Sequence, residues 1–202
     1  MDYKDLFIQN IHILRELMFF RREDPPEISE DDFNKWIAEW FIVHQYADMY
    51  SLSKEYIELT QTTRYFLMQR CFENSYISGC SALDDYWACL SWNVDLTIMT
   101  NKDVKEELVV WNEKVFVYKT YVENYTDFVS HKPIELGNKA IWLRSNRHLN
   151  IATLELALVD LFSTQKYVMD IYDLHQHWIY LERLDAITDR EKLLKIAQTT
   201  KQ

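Results

Sequence analysis

The chain of 202 residues carries a formal net charge of −10, and its 48% apolar composition is enough for a sizeable hydrophobic core. Only two glycines and three prolines are available, which argues against the many tight turns of a β-sandwich, a barrel or a doubly wound fold and favours an all-α bundle of seven or eight helices without a sheet. The acidic balance opposes direct nucleic-acid binding, and no apolar run approaches the roughly 18 residues of a membrane span.

The first two predicted helices follow from stop and capping signals. The first helix is predicted from Tyr3 to Arg22 and ends before Pro25, because the residue before a proline avoids the helical region. Ser29, with Asp32 three residues on, has the pattern of a capping box that opens the second helix. The predicted core positions of that helix, spaced three or four apart, are Phe33, Trp36, Trp40, Val43 and Ala47.

Three more helices are predicted over the middle of the chain. One spans Ser53–Ser78 and ends at Gly79, which is expected in the left-handed conformation. Capping boxes beginning at Ser81 and at Thr100 open the next two. The second of these is long and runs through Leu108, Val115, Val122 and Tyr125 before it ends ahead of Pro133.

The last third of the chain begins with an irregular connection. Residues 131–150 hold Pro133, Gly137 and several asparagines, whereas the pattern from Ile151 to about Leu184 is helical, with a break near Ser163. A box at Thr188 caps a short final helix. We therefore predict one all-helical domain over residues 1–202, with a soft division near residues 131–150.

Signals for covalent chemistry, targeting and cofactors are weak in this sequence. Cys71, Cys80 and Cys89 form no CxxC pair, and their spacing predicts free thiols in a reducing compartment. No nucleophile elbow or phosphate-binding glycine loop occurs. Acids near the N-terminus do not fit a signal peptide. The prediction is a cytoplasmic protein with no cofactor and no catalytic residue.

An alternative reading is a metal- or cofactor-dependent enzyme in a helical bundle. Its strongest feature is a group of polar residues in which Asp173 and His177 lie one helical turn apart, with His175 nearby. His44 or Glu39 are candidates to complete such a site. None of the six histidines follows a glutamate by three residues, so the di-iron bundle motif is absent.

Acidic residues are concentrated in the first half of the chain. Residues 1–100 hold 17 acids against 8 lysines and arginines, whereas residues 101–202 hold 15 against 14. Six acids fall within ten residues around the predicted connection between the first two helices: Glu23, Asp24, Glu27, Glu30, Asp31 and Asp32. They are either a solvated, capped turn or an epitope for lysines and arginines of a protein partner.

A second candidate epitope combines aromatic and acidic side chains. Tyrosine supplies much of the contact energy of protein interfaces, and neighbouring carboxylates suit a basic partner. The residues are Tyr121, Glu123, Tyr125 and Asp127, predicted on the edge of the long fifth helix. An ordinary amphipathic helix edge would have the same pattern.

Residues 64–92 contain the passage Tyr76-Ile-Ser-Gly79-Cys-Ser-Ala-Leu83, followed by Trp92. This passage resembles the helix–YSxG–helix region near the N-terminus of the helical immunity proteins that neutralise PoNe-type bacterial DNase toxins. Tyr76, Ser78, Gly79, Leu83 and Trp92 carry the resemblance, which covers less than a sixth of the chain. It implies a non-enzymatic, acidic inhibitor of a basic nuclease.

These observations lead to three hypotheses for the function. The first is a non-enzymatic binding protein that masks a basic protein partner, such as a toxin, a nuclease or a defence factor. The second is the helical enzyme described above. The third is a structural subunit whose aromatic residues form a homo-oligomer interface.

Overall fold

Strands, which the low glycine content argued against, form two sheets. The computed structural model describes residues 2–25, 28–57, 60–89, 95–133, 148–164 and 180–200. Over these residues the chain has seven α-helices, a three-stranded sheet and a six-stranded sheet, so the all-α prediction is wrong and the fold is mixed α/β. No helix among the described residues has the length and apolar character needed to cross a membrane.

The described residues fall into two compact units, one ending at Cys71 and the other beginning at Phe72. The first unit contains, in chain order, α1 (Tyr3–Leu17), β1 (Phe19–Phe20), α2 (Glu30–Ala38), β2 (Ile42–Tyr46), β3 (Met49–Leu52) and α3 (Gln61–Cys71). The three strands pair antiparallel in the order β1-β3-β2. The largest fully buried side chain of the unit is that of Trp36, whose indole N–H donates to the carbonyl of Tyr3 at 2.9 Å.

Helix boundaries in the first unit test the capping signals directly. The prediction of Ser29 as an N-cap is confirmed, since its hydroxyl accepts the backbone N–H of Asp32 at 3.1 Å. The predicted end of the first helix is wrong: α1 stops at Leu17 because Met18 takes a positive φ of 63°. The predicted core of the second helix holds only at Phe33 and Trp36, since α2 ends at Ala38.

The second unit is built on the six-stranded sheet. Its elements are β4 (Ser75–Ser78), α4 (Gly79–Asp85), β5 (Leu96–Thr100), β6 (Lys105–Val110), β7 (Glu113–Lys119), β8 (Val129–Pro133), β9 (His148–Ala152), α5 (Leu154–Thr164), α6 (Leu181–Ile187) and α7 (Arg190–Gln198), with a 3-10 helix at Tyr125–Phe128. The strand order is β6-β7-β5-β4-β9-β8. The central strand β5 is antiparallel to β4 and parallel to β7, and it is buried along its whole length.

Three helices predicted for the middle of the chain are therefore wrong. The Ser53–Ser78 segment contains α3 and β4, and Gly79 has the expected left-handed φ of 56° but begins α4 instead of ending a helix. Ser81 lies inside α4, where its hydroxyl donates to the carbonyl of Asp95 at 3.0 Å. Thr100 ends β5, and β6 and β7 take the place of the long fifth helix.

The low glycine content led to the wrong fold class because several turns of this fold use other residues at positive φ. Among the described residues, eight other than glycine have positive φ: Met18, Trp40, Ala47, Asn74, Trp87, Trp111, Asn112 and Asn124. Trp111 and Asn112, with φ of 53° and 63°, are the two-residue loop of the β6–β7 hairpin, where positive φ at both positions matches the twist of the strands. Each such residue costs of order 1–2 kcal/mol, so a large core can sustain several of them.

The end of the chain follows the sequence signals more closely. The predicted final helix is confirmed as α7, although its N-cap is Asp189, whose carboxylate accepts the backbone N–H of Lys192 at 3.1 Å. The predicted helix from Ile151 begins at Leu154 as α5, and residues 165–179 lie outside the described residues. Residues Leu154 to Leu161 of α5 are all buried, and this helix packs against α4, β4 and α7.

Candidate functional site

The acidic residues at 23–32 lie in the first unit, before and within the first turn of α2. Asp24 is half-buried, where it accepts the backbone N–H of Arg21 at 2.7 Å and lies 3.4 Å from the Arg70 guanidinium. Glu30 lies 3.7 Å from Arg22. These two carboxylates therefore already have cationic neighbours in the same unit.

Asp32 is also engaged within its own helix. It accepts the Ser29 hydroxyl at 2.6 Å and lies 3.4 Å from the Lys35 ammonium, and the Ser29 hydrogen bond is the main cause of its lowered pKa. Glu23 and Asp31 are exposed, whereas Glu27 lies outside the described residues. Within the predicted epitope, Glu23 and Asp31 are thus the carboxylates that the described structure leaves most open to a partner.

The second predicted epitope lies in the second unit on a loop and a 3-10 helix, not on the edge of an α-helix. Tyr121 is 45% exposed, and Glu123 and Asp127 are exposed. Tyr125 has a structural role: its hydroxyl donates to the carbonyl of Asn74 at 2.8 Å, and its ring stacks on Tyr76 at 4.9 Å. The exposed part of this epitope is therefore one aromatic ring between β7 and the 3-10 helix, with two carboxylates near it in sequence.

A buried polar cluster, which the sequence reading missed, joins β4 to α5. Asp160 is 1% exposed, and its Oδ2 accepts the hydroxyls of Ser78 at 2.6 Å and of Tyr76 at 2.8 Å. The Tyr76 oxygen also lies 2.9 Å from Thr120 Oγ1. The signal that could have revealed Asp160 is its position inside the apolar run Leu154–Phe162, where an acid must find hydrogen-bond donors.

Burial dominates the electrostatics of this cluster. It raises the pKa of Asp160 to about 7, although the hydrogen bonds from Ser78 and Tyr76 act in the opposite direction. It also raises the pKa of the Tyr76 phenol, as does the Asp160 charge. Because the carboxyl group is buried and bonded to two side chains of β4, the cluster joins β4 to α5 in the core.

Two of the three thiols, those of Cys80 and Cys89, are also buried, whereas Cys71 is half-buried. The hydrogen bond with Cys89, followed by burial, raises the pKa of Cys80 far above its ordinary value. Burial and the nearby Asp48 carboxylate raise the pKa of Cys71 to about 11. The raised pKa values keep the Cys71 and Cys80 thiols protonated at neutral pH, and Cys80 and Cys89 pack as small buried side chains.

Residues of the predicted alternative metal site are only partly described. Asp173, His175 and His177 lie outside the described residues. His44 Nε2 lies 2.6 Å from the carbonyl of Ala47, and Glu39 accepts a hydrogen bond from the Tyr3 hydroxyl at 3.4 Å. In the part of the chain that the structure describes, no three His, Cys, Asp or Glu side chains converge as metal ligands.

The C-terminal end of α4 exposes an acidic and aromatic turn that the sequence reading also missed. We call residues 84–87 the α4 turn. Lys132 lies 2.7 Å from Asp85 and 5.6 Å from the centre of the Tyr86 ring. Trp87, the next residue, has a φ of 56° and is 80% exposed.

Comparison with known proteins adds no assignment, because neither a family model nor a curated protein matches this chain. The resemblance of residues 64–92 to immunity proteins stays a prediction. Its expected helix–YSxG–helix form is wrong, since Tyr76 and Ser78 lie on β4 and Gly79 begins α4. Trp92 lies outside the described residues.

Proposed function

We propose that this protein is a non-enzymatic binding protein that masks a basic protein partner, such as a toxin, a nuclease or a defence factor. The observation that carries the proposal is that both predicted epitopes keep exposed carboxylates. These are Glu23 and Asp31 in the first unit, and Glu123 and Asp127 in the second. In a chain of net charge −10, such groups accelerate encounter with a basic surface and discriminate against acidic ones.

The buried chemistry supports a binding role over a catalytic one. The carboxyl group of Asp160 and the thiol of Cys80 are among the described groups with strongly raised pKa values, and both lie in the core. A catalytic acid or nucleophile has to reach the reacting atoms. The roles of these two groups are explained by packing and hydrogen bonding.

A nucleic acid is the competing class of partner, and it needs a basic surface that neutralises its phosphates. Here the first turn of α2 holds Glu30, Asp31 and Asp32, and the β2–β3 turn holds Asp48. Glu30, Asp32 and Asp48 lie near Arg22, Lys35 and Arg21, and the exposed Asp31 adds negative charge, so this surface lacks the basic excess that phosphates require and a basic protein fits it better.

Copurification with the tagged protein from its native host, washed at low and at high salt, tests this function. We expect a stoichiometric basic protein that high salt removes, and direct binding of the two purified proteins should then be confirmed by calorimetry. Recovery of nucleic acid instead, or of the chain alone as a monomer or a homo-oligomer, would overturn the proposal.

Charge variants then locate the contact. Glu23→Gln with Asp31→Asn, and Glu123→Gln with Asp127→Asn, each remove two exposed charges while leaving Asp24 and Asp32 in their internal interactions. We expect at least one pair to slow association about three- to tenfold at low salt and to flatten its salt dependence. The control, Glu106→Gln with Glu191→Gln, removes the same charge from exposed positions elsewhere and should have a smaller effect.

A further inference from the structure

The α4 turn holds a tryptophan in an unfavourable position. Trp87 has a left-handed backbone, with φ at 56°, and leaves 80% of its surface in water. A bulky residue at positive φ costs about 1–3 kcal/mol, and such strain is concentrated at functional positions. Because the indole ring is exposed, packing in the core does not explain why a tryptophan occupies this position.

The neighbouring residues on the same turn already bind a cation. The Lys132 ammonium is 2.7 Å from the Asp85 carboxylate and 5.6 Å from the centre of the Tyr86 ring. A carboxylate and an aromatic face together attract a cation through its charge and through the ring quadrupole. This part of the chain therefore contains one filled example of an acid–aromatic cation site.

Asp84 and Trp87 are the second acid and second ring of the turn. The backbone N–H of Trp87 donates to the carbonyl of Asp84 at 2.9 Å, so the two residues close the same turn. Asp84 is half-buried and has no ion pair with a described residue. Burial first, and the Asp85 charge second, raise the pKa of its carboxyl group, so an added cation would be favourable there.

A second exposed aromatic residue is attached next to this turn through its backbone. The backbone N–H of Tyr180 donates to the carbonyl of Ala88, the residue after Trp87, at 3.0 Å. Tyr180 is 47% exposed. Asp84, Trp87 and Tyr180 are therefore carried by backbone segments that are hydrogen-bonded within one small region of the second unit.

We propose that Trp87, Tyr180 and Asp84 form a docking site for an arginine side chain of the basic protein partner. The site rests on the proposed function and names the group that it recognises. A guanidinium can stack flat on an indole ring while donating to a carboxylate, whereas a lysine ammonium is a more strongly hydrated point charge. Arginine is also among the residues that most often dominate protein interfaces.

The site can be tested without the natural partner, by using 5-fluorotryptophan-labelled protein and an acetylated hexa-arginine peptide. Trp40 is the matched control in the same sample, since it has a positive φ of 59°, is 73% exposed and follows Glu39. Trp87→Phe and Trp40→Phe assign the two fluorine resonances. We expect a saturable shift of the Trp87 resonance that is at least threefold larger than that of Trp40. Equal shifts of the two would indicate general attraction to an acidic protein and would overturn the site.

Variants of the other two residues sharpen the test. Asp84→Asn should weaken peptide binding at Trp87 about three- to tenfold, Tyr180→Ala should weaken it to a similar extent, and a hexalysine peptide should bind the unmodified protein more weakly than hexa-arginine. The control Asp185→Asn removes a charge that already pairs with Arg190 at 2.6 Å and should change binding less than twofold. Unchanged affinity in Asp84→Asn would contradict the assignment.

The two proposals fail in different ways. If a basic partner is captured and Trp87→Ala binds it as tightly as the unmodified protein, the arginine site is wrong and the proposed function stands. If no basic partner exists, the proposed function is wrong whatever the peptide does.

Discussion

Two carboxyl groups on α5, five residues apart, are both buried, yet their pKa values are shifted in opposite directions. Glu155 is 5% exposed, lies 2.8 Å from the Lys192 ammonium and accepts the backbone N–H of Asp189 at 3.1 Å. Burial acts to raise its pKa, but these hydrogen bonds outweigh burial and the pKa is lowered. Asp160 is 1% exposed, and the donors that the described residues offer to its carboxylate are the hydroxyls of Tyr76 and Ser78, so burial raises its pKa to about 7.

The difference shows what kind of partner a buried acid needs. A cation with a backbone N–H donor compensates the lost hydration of a carboxylate, whereas two neutral hydroxyls compensate it only in part. Glu155 therefore forms an ion pair that joins α5 to α7. The Asp160 carboxyl group is neutral and hydrogen-bonded below about pH 7, and above that pH it carries a charge that its hydroxyl donors compensate only in part.

The largest expected effect comes from removing the Asp160 charge. Between about pH 4 and pH 7 the native state keeps a proton on Asp160 that the unfolded chain has released, so its contribution to stability falls as pH rises through this range. From pH 5 to pH 8, the free energy of unfolding of the unmodified protein should fall about 2–3 kcal/mol more than that of Asp160→Asn. Urea unfolding of both proteins at the two pH values measures this difference. Equal pH dependence would show that Asp160 is ionised normally in the folded protein.

Breaking the ion pair between Glu155 and Lys192 should have a smaller effect on the free energy of unfolding. Lys192→Met keeps much of the lysine's apolar stem but leaves Glu155 without its cation, and should lower the free energy of unfolding at pH 7 by about 1–2 kcal/mol. The value is below that of a fully buried pair because Lys192 is 34% exposed and water partly screens it. Lys195→Met, at an exposed position of α7, is the control and should change stability by less than about 0.5 kcal/mol. A loss no larger than that of the control would mean that water fully replaces the lysine.

Local signals in the sequence identified some features of this fold. Ser29 was found because capping depends on a hydroxyl and a backbone N–H three residues apart, and such short-range geometry is visible in one dimension. The final helix, α7, was found on the same grounds. The first-unit core residues Phe33 and Trp36 followed from helical spacing.

The sheet could not be deduced in that way because its turns break the usual rule. Trp111 and Asn112 take the positive φ that glycine normally supplies, so the β6–β7 hairpin has no glycine signal. Leu108 and Val115, which were assigned to one helix, face each other instead in the pairing of β6 with β7. The alternation of Val115 and Val117, both fully buried, was the strand signal that glycine counting outweighed.

Candidate sites were harder still, since they depend on contacts between distant residues. Asp160 meets Tyr76 and Ser78 across more than 80 positions, and only the strand β4, with side chains alternating by two, brings both hydroxyls to one face. A helix through the same residues, as expected from the sequence, separates Tyr76 from Ser78 by about 200°. The acidic epitopes were visible from composition, but the internal pairing of Asp24 with Arg70 was not.

The smallest expected effect is that of Ser78→Ala, which tests how far the Ser78 hydroxyl stabilises the charged form of Asp160. Ser78→Ala removes the 2.6 Å donor to Asp160, and a hydrogen bond to a carboxylate is stronger than one to the neutral acid. The substitution should therefore cost about 1 kcal/mol more at pH 8 than at pH 5, and it should raise the pKa of Asp160 above 7. In an Asp160→Asn background the same substitution should cost equally at both pH values, because no charge remains to be hydrogen-bonded. If the pH dependence survives in that background, it originates in another titrating group and the hydroxyl does not act on the Asp160 carboxylate.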